Sequence, residues 1–213
     1  MVRLAREGWP LIGVTGGAAL ASAALGPWVL AAPLVALALF TAWFFRDPER
    51  VVPGGEGLVV APADGRVLRV EETHEPAHLQ ARAIKVSIFM SPLDVHVNRM
   101  PVSGEVLGVV HRKGRFFNAA AERASLMNEH NALLIGTGDQ RLLCVQVAGF
   151  LARRIVCWVR PGQRLERGER FGLIRFGSRV DLYLPPGSQV VLKVGQRTRA
   201  GETVVGRLVG RLG

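Results

Sequence analysis

Cysteine is scarce in this sequence, and so are the usual marks of a metal, redox or nucleotide site. Only two cysteines occur among 213 residues, Cys144 and Cys157, and each lies within an apolar run. The sequence has no CxxC pair and no Cys/His ligand spacing, so we expect no bound metal. No glycine-rich loop that could cradle phosphate groups is present either. The two thiols are therefore expected to be buried and reduced, as in a cytosolic compartment.

Charge is absent from the whole stretch 8–45. A membrane span needs about 20 apolar residues, so this run is about twice as long as one span. Gly26-Pro27 lies near its middle, where a turn between two short helices is expected. Arginines flank the run on both sides, which by the positive-inside rule places both ends in the cytoplasm. We therefore expect residues 1–46 to form a hydrophobic helical hairpin in the cell membrane, with the rest of the chain on the cytoplasmic side.

Two other interpretations of the apolar run are open. A secretory signal peptide also begins with basic residues, but its apolar region is shorter and is not followed at once by arginine. A buried helix pair would need a larger globular partner than this chain offers. The length of the run and its flanking charges favour the membrane anchor.

Negative charge is in short supply, because 17 Asp and Glu stand against 27 Lys and Arg, a formal charge of +10. This balance favours an anionic partner such as a phospholipid surface, a nucleic acid or an acidic substrate. The segment 111–117 mixes cations with two phenylalanines, a pattern that can stack on nucleic-acid bases. In a chain with a membrane anchor, we expect this loop to meet an anionic membrane surface, and we expect no nucleic-acid partner.

After residue 45 the chain consists of short apolar runs broken by glycine and proline, which is typical of β-strands. Strands are expected over 58–60, 66–70, 83–89, 106–110, 132–135, 142–147, 155–159, 171–174, 180–184 and 190–194. Only residues 118–127 look helical. The expected fold is therefore mainly β (α+β), a compact catalytic domain over residues 47–213.

Two segments of this domain, 161–172 and 194–206, resemble each other. Each reads as a tight glycine turn, a polar link and a second turn that leads into a strand, which is typical of a hammerhead-like β-sandwich. Biotinyl and lipoyl carrier domains share that pattern, so a membrane-tethered, non-catalytic binding module is one alternative. A carrier needs an exposed lysine at a hairpin tip, however, and the corresponding tip here carries Asp64.

Three residues are candidates for chemistry. Ser178 follows Gly177 in a loop-like stretch, and a serine becomes a nucleophile when a base takes its proton and a third group orients that base. His96 and Asp64 supply the imidazole and the carboxylate. Each also has a structural interpretation, since Gly-Ser and Asp-Gly are common turn pairs and a histidine between two valines can be a core residue.

Five features together resemble one enzyme family. They are the FFRDP run at 44–48, the APADG turn at 61–65, the stretch 90–104, the NEHN run at 128–131 and the Gly177-Ser178 pair. In this order they look like the motifs of the short (archaeal-type) form of phosphatidylserine decarboxylase. The resemblance covers most of the chain after the apolar run.

This resemblance implies a proenzyme that cleaves its own Gly177–Ser178 bond. The Ser178 hydroxyl attacks the Gly177 carbonyl carbon, the amide becomes an ester, and β-elimination converts the serine to dehydroalanine. Hydrolysis with loss of ammonia then leaves a covalent pyruvoyl group (bound pyruvate) at residue 178. His96 as base and Asp64 as the carboxylate that orients it fit these roles. The products are a β chain, residues 1–177, and an α chain, residues 178–213, in a heterodimer whose further homo-oligomerisation stays open.

The resemblance also implies the reaction that follows. The pyruvoyl ketone at residue 178 forms a Schiff base with the amine of phosphatidylserine, CO₂ leaves, and reprotonation by His96 gives phosphatidylethanolamine. A pyruvoyl decarboxylase of a soluble amino acid is a second enzymatic alternative, although a soluble substrate gives no reason for the membrane anchor.

Two positions depart from the longer members of that family. Arg99 stands where many have a second histidine, and Arg179 stands where they have threonine. His96 would therefore have to serve both self-cleavage and decarboxylation, or another group takes part.

Overall fold

A computed structural model describes residues 3–26, 28–114, 128–149, 154–175 and 178–209. The chain divides into two compact units, Met1–Glu49 and Arg50–Gly213. The first unit contains the helices, and the second contains the sheets and the candidate site.

The first unit is a helical hairpin closed by a small strand pair. Its elements are strand β1 (Arg3–Leu4), a 3₁₀ turn (Arg6–Gly8), helix α1 (Trp9–Leu25), helix α2 (Trp28–Phe44) and strand β2 (Arg46–Asp47). Helix α1 ends because Gly26 adopts a left-handed conformation, with φ of 100°, which favours glycine. β1 and β2 pair antiparallel. The hairpin expected from the sequence, with its turn at Gly26, is confirmed.

The helices leave much apolar surface exposed. The helical stretch Arg6–Leu25 has 20 residues and a mean hydropathy of 1.3, and 17% of it is buried, so by length and composition it could cross a membrane. α2 is shorter. Large side chains such as Val14, Leu20 and Val29 are 71–88% exposed. A helix with so little burial is not a core helix, and a lipid phase is the medium that would cover this surface. The unit is therefore suited to membrane association.

The second unit is built almost entirely of antiparallel strands, which confirms the mainly β expectation. The strands are β3 (Leu58–Val60), β4 (Gly65–Glu75), β5 (Ala81–Met90), β6 (Val97–Arg99), β7 (Gly104–Arg112), β8 (His130–Thr137), β9 (Gln140–Ala148), β10 (Ile155–Cys157), β11 (Arg164–Leu165), β12 (Arg170–Ile174), β13 (Ser178–Leu184), β14 (Gln189–Val190), β15 (Arg197–Thr198) and β16 (Val204–Arg207).

Eight of these strands form one curled sheet in the order β11-β7-β8-β9-β13-β5-β4-β15. Two three-stranded sheets, β10-β12-β6 and β14-β16-β3, complete the unit. A single cluster of apolar side chains fills the interior and draws on all three sheets. Strand β13 lies in the middle of the large sheet, paired with β5 on one side and β9 on the other.

The sequence-based expectations differ from the structure at several short elements. Residues 158–159 and 191–194 were expected in strands but lie outside β10 and β14. The sequence did not indicate β6, β11, β15 or β16, because strands of two to four residues are too short to display alternation. The helix expected over 118–127 lies outside the described residues.

The resemblance between 161–172 and 194–206 is one part of an internal duplication. The first half consists of β3–β5 and β13–β16, and the second half consists of β6–β12. Taken in order, each strand of the first half has an equivalent in the second, from β3 with β6 to β16 with β12. Equivalent strands therefore lie at equal distances from the two edges of the large sheet. The turn glycines agree as well: Gly162 and Gly195 both have φ of 86°, and Gly168 and Gly201 have φ of 83° and 77°. The first half is interrupted in sequence by the whole of the second.

Backbone hydrogen bonds confirm this approximate two-fold symmetry. Many bonds in one half have a counterpart in the other, and the pairs include Val60 N to Pro101 O (2.9 Å) with Arg99 N to Pro62 O (2.9 Å), and Gly168 N to Met100 O (2.9 Å) with Gly201 N to Ala61 O (2.8 Å). By this correspondence the turn at 61–65 matches the turn at 100–104, and Asp64 matches Ser103. The two halves therefore have the same backbone fold, but equivalent positions such as Asp64 and Ser103 carry different side chains.

Candidate active site

Ser178 is the first residue of β13 and is fully buried. Its neighbours across the sheet are Met90 on β5 and Ala148 on β9. The Ser178 hydroxyl donates a hydrogen bond to Met90 Sδ, with Oγ 3.3 Å from the sulfur. A thioether is a weak acceptor, so this contact orients the hydroxyl without holding it strongly. The other half of the expected cleavage pair, Gly177, lies outside the described residues.

His96 is fully buried, and its ring is oriented by a backbone carbonyl. Nδ1 of His96 lies 2.9 Å from Asp94 O. Because a carbonyl oxygen only accepts hydrogen bonds, Nδ1 must carry a proton, and in the neutral ring the lone pair is on Nε2. This tautomer is the one that can act as a base through Nε2.

A tight turn fixes that carbonyl. The Asp94 carboxylate accepts hydrogen bonds at 2.8 Å from both the backbone N–H and the hydroxyl of Ser91, and Asp94 N donates to Ser91 O at 2.9 Å. The Ser-Pro-Leu-Asp stretch therefore acts as a closed turn that sets the position of His96. Beyond the turn, Ile174 N donates to His96 O at 3.3 Å, which ties the histidine to the end of β12, two residues before the undescribed pair 176–177.

Asp64 lies in the turn that precedes β4 and is nearly buried. Its carboxylate accepts two hydrogen bonds from Arg50 Nη2, at 2.7 and 3.0 Å, and one from Ala200 N at 2.7 Å. Burial raises the pKa of Asp64 above its usual value, and the nearby charge of Asp94 acts in the same direction. The Arg50 charge and the Ala200 N–H oppose that rise.

The sequence assigns Asp64 to orient His96, and the structure places the two residues on neighbouring segments. Arg99 N donates to Pro62 O at 2.9 Å, so the turn of Asp64 runs antiparallel to the segment of His96. The carboxylate itself is bound by Arg50 and Ala200, while the Nδ1 of His96 faces the Asp94 carbonyl. The Nδ1 atom of His96 is therefore oriented by the Asp94 carbonyl and not by the Asp64 carboxylate.

Arg50 is a site residue that sequence reasoning missed, because it was interpreted only as a positive charge flanking the apolar run. Its side chain is 7% exposed and also contacts Glu202, with Nη1 3.4 Å from Oε2. The signal was its place directly after the family-like FFRDP run.

The two arginines that depart from the longer family members have structural contacts. Arg99 Nη1 donates to Gly168 O at 2.9 Å. Arg179 and Asp181 form a buried pair, with Arg179 Nη2 3.0 Å from one carboxylate oxygen and Nε 2.9 Å from the other. Arg99 thus bonds a backbone carbonyl of the β11–β12 turn.

Buried amides next to Ser178 are a second feature that sequence reasoning missed. Asn98 Nδ2 lies 3.7 Å from the same Met90 sulfur, and Gln146 Nε2 donates to Asn98 Oδ1 at 2.8 Å. The signal was a polar residue inside the apolar run 142–147.

No group of three His, Cys, Asp or Glu side chains that could hold a metal is found among the described residues. The surroundings of Ser178 do fit a pyruvoyl group, since the position is closed to solvent and lies between the buried residues Met90 and Ala148 of the neighbouring strands. Cys144 is buried and Cys157 is half-buried, and both are free thiols.

A groove of about 790 Å³ lies at the opposite end of the large sheet, beside Ser103, Gln140, Arg141 and Arg164. Gln140 is eight residues along β9 from Ala148, the partner of Ser178, which is roughly 27 Å of strand. This groove is the counterpart, in the second half, of the end that carries Ser178. It is not part of the candidate active site.

Comparisons with known proteins identify the family of the chain. A family model described as phosphatidylserine decarboxylase matches residues 37–206. The "phosphatidylserine decarboxylase proenzyme" of Symbiobacterium thermophilum is 52% identical over 207 residues, covering 96% of this chain and 95% of the relative. The proteins of the same name from Nitrosomonas europaea and Syntrophus aciditrophicus are 50% and 46% identical, and these matches cover 95% of this chain and 94% and 96% of the relatives.

These matches confirm the resemblance, the enzyme class and the pyruvoyl cofactor expected from the sequence, and they exclude the carrier-like binding module. The chain belongs to the phosphatidylserine decarboxylase family, the pyruvoyl-dependent carboxy-lyases that are made as proenzymes.

Proposed function

We propose that the chain cleaves itself between Gly177 and Ser178 and then decarboxylates phosphatidylserine to phosphatidylethanolamine. One observation carries the choice of residue: Ser178 is a buried serine at the first position of a central strand, and within the described part of the chain its hydroxyl is held only by a weak sulfur acceptor. A hydroxyl in that setting can leave its partner at low cost and attack the preceding peptide carbonyl.

His96 is the base for this step. Its Nε2 lone pair takes the Ser178 hydroxyl proton, and the oxygen attacks the Gly177 carbonyl carbon. The C–N bond then breaks, the proton passes to the nitrogen of residue 178, and an ester joins Gly177 to the serine oxygen. Elimination releases the Gly177 carboxylate with that oxygen, and hydrolysis with loss of ammonia leaves the pyruvoyl group.

Asp64 assists as an ionised carboxylate beside the segment of His96. Its negative charge favours the protonated imidazole that forms when His96 takes the serine proton. Arg50 and Ala200 N hold the carboxylate in one orientation and favour its ionised form against the effect of burial.

In the decarboxylation, the pyruvoyl group supplies an electrophilic carbonyl that binds the substrate amine and draws electrons from the bond to the departing carboxylate. His96 then carries the proton that the product carbon needs. Its fixed Nδ1–H keeps Nε2 as the atom that exchanges protons in both reactions.

The product is a heterodimer of a β chain, residues 1–177, and an α chain, residues 178–213. The α chain supplies β13 to the centre of the large sheet and β14–β16 to its neighbours, so the two chains share one core. Residues 1–46 form the membrane anchor, and residues 47–213 form the catalytic domain. Any homo-oligomer would be built from such heterodimers.

The catalytic domain lies on the cytoplasmic side of the cell membrane, against an anionic surface, and takes no nucleic acid. Arg3, Arg6 and Arg46 flank the helices, and the net charge is +10. The described part of the segment 111–117 ends in exposed Arg112 and Lys113. Charge reversal at Arg112, Lys113 and Arg115 should weaken binding to anionic vesicles and leave binding to neutral vesicles unchanged. Binding of the variant to anionic vesicles at the wild-type level would refute this surface.

Intact-mass spectrometry of the purified wild type beside Ser178→Ala tests the proposed function. The wild type should split after Gly177 into two fragments, with the smaller one blocked to N-terminal sequencing and lighter by one ammonia than a peptide that begins with serine. Ser178→Ala should stay intact. A native, uncleaved wild type would overturn the proposal.

A further inference from the structure

A chain of buried amides ends at the sulfur atom that Ser178 contacts. All its members are at most 2% exposed. The contacts run from Asn131 Nδ2 to Gln146 Oε1 (3.0 Å), from Gln146 Nε2 to Asn98 Oδ1 (2.8 Å) and from Asn98 Nδ2 to Met90 Sδ (3.7 Å), where the Ser178 hydroxyl also donates (3.3 Å). This amide chain crosses the interior from β8 to β6.

The hydrogen bonds of the amide chain all point the same way. Because Asn131 donates to Gln146 and Gln146 donates to Asn98, the oxygen of Asn98 is occupied and its N–H faces Met90. The Met90 sulfur therefore receives two donors, one from Asn98 and one from Ser178. With the Asn98 donor fixed on one side of the sulfur, the Ser178 hydroxyl is confined to the other.

The other half of the duplicated fold has no such chain. Asn98 pairs with Gly172 as Val59 pairs with Gly206, and Asn131 pairs with Gln146 as Ile84 pairs with Leu184. At the three equivalent positions the first half carries apolar side chains of the core cluster or packed against it, namely Val59 for Asn98, Leu184 for Gln146 and Ile84 for Asn131.

This comparison indicates whether the three amides are required by the fold or are specific to the site of Ser178. Buried amides are costly unless fully hydrogen-bonded, and the same backbone accepts valine, leucine and isoleucine at these positions in its other half. The fold therefore does not require the amides. They occur at the end of the sheet that holds Ser178, and they terminate on an atom within reach of its hydroxyl.

We propose that Asn98, Gln146 and Asn131 are positioning residues for self-cleavage, which act on the Ser178 hydroxyl through the Met90 sulfur. The inference rests on the proposed function, since it requires that Ser178 be the attacking residue. The amide chain acts before cleavage, because the serine oxygen leaves with the Gly177 carboxylate. Once the pyruvoyl group exists, the atom that the amide chain positions is gone.

The other half of the fold supplies the test variant. The triple substitution Asn98→Val, Gln146→Leu and Asn131→Ile copies its residues and leaves no amide of the chain unpaired. We expect it to unfold cooperatively within about 4 °C of the wild type. Its proenzyme should self-cleave about tenfold more slowly, and decarboxylation per pyruvoyl group formed should stay within about twofold of the wild type. Ser188→Ala, which removes a nearly buried hydroxyl bonded to Pro185 O, is the control and should cleave at the wild-type rate.

Met90→Leu is the second variant, since it keeps the side-chain size and removes the sulfur. It should also slow cleavage, and it keeps the proposal testable if the triple variant does not fold. Cleavage is followed by the appearance of the 178–213 fragment from freshly synthesised proenzyme. Wild-type cleavage rates in the folded triple variant, or in Met90→Leu, would overturn the positioning role and leave the proposed function intact. A wild type that does not split after Gly177 would instead overturn the proposed function.

Discussion

Replacement of Arg50 by glutamine should move the pH dependence of self-cleavage to higher pH. Arg50 binds both oxygens of Asp64, and the two side chains are only 7% and 13% exposed. In the wild type, burial already raises the pKa of Asp64, and Arg50 is the largest influence that opposes it. Without the guanidinium, the folded protein holds the Asp64 proton more tightly.

The size of the effect follows from the geometry of the pair. An arginine beside an aspartate lowers its pKa by about 1–3 units, so the substitution should raise the pKa of Asp64 by about that amount. Each unit corresponds to about 1.4 kcal/mol, so the variant should lose about 1.4–4 kcal/mol of stability at pH values where Asp64 is ionised in the wild type. A carboxyl whose folded pKa is raised favours the fold at low pH and loses that contribution as the pH rises. The destabilisation should therefore be largest at neutral pH and shrink in acid.

The assay is the cleavage rate of freshly made proenzyme between pH 5 and 9. The acid limb of the profile should move upward by the same 1–3 units as the pKa of Asp64. Glu202→Gln removes the other partner of Arg50 and should shift the limb little, because that contact is longer and partly exposed. Asp64→Ser copies the equivalent Ser103 and should cleave more slowly, with an acid limb that no longer shifts when Arg50→Gln is added. An unshifted limb in a folded Arg50→Gln protein would refute an ionised Asp64 in cleavage.

Three further predictions concern stability and thiol reactivity. The Glu75 carboxylate accepts three backbone N–H bonds that lower its pKa, so Glu75→Gln should cost about 1–2 kcal/mol in urea unfolding at pH 7. That difference should shrink as the pH falls below the ordinary glutamate pKa of about 4.3, and a constant difference would contradict this account. Gly65→Ala should cost about 1–3 kcal/mol because its Cβ would meet a backbone carbonyl of β5, whereas Gly54→Ala, which has open space, should cost little. Burial raises the pKa of both Cys144 and Cys157, so iodoacetamide at pH 8 should label them slowly until the protein unfolds.

Local patterns in the sequence were sufficient for the helical hairpin and for most long strands. The uncharged run with Gly26 at its middle predicts two helices, because the length of the run and the position of its turn residue can both be read from the local sequence. Strands β4, β5, β8 and β9 carry enough apolar residues to be recognised without neighbours. The candidate nucleophile and base, Ser178 and His96, were found because the motifs around them are distinctive in order.

The contacts of the site could not be predicted, because they join residues far apart in sequence. Asp64 meets Ala200 N only when β15 pairs with β4, and Asn98 meets Gln146 only when three strands take their registers. Each of these residues alone is an ordinary polar residue in a strand or turn. The duplication was only partly visible: 161–172 and 194–206 resemble each other openly, whereas the APADG and MPVSG turns share only proline and glycine.

The duplication also distinguishes the structural role of Asp64 from its chemical role. Ser103, its counterpart, accepts a hydrogen bond from Arg167 N at 3.0 Å, as Asp64 accepts one from Ala200 N at 2.7 Å. A side-chain oxygen that accepts a backbone N–H is therefore part of this turn in both halves, and a serine can supply it. The carboxylate at this position and its Arg50 pair belong to the end that carries Ser178, whereas at the other end the Ser103 hydroxyl donates to Glu166 at 2.7 Å. Because the two ends share one backbone, the residues that differ between them are the ones to which the chemistry can be assigned.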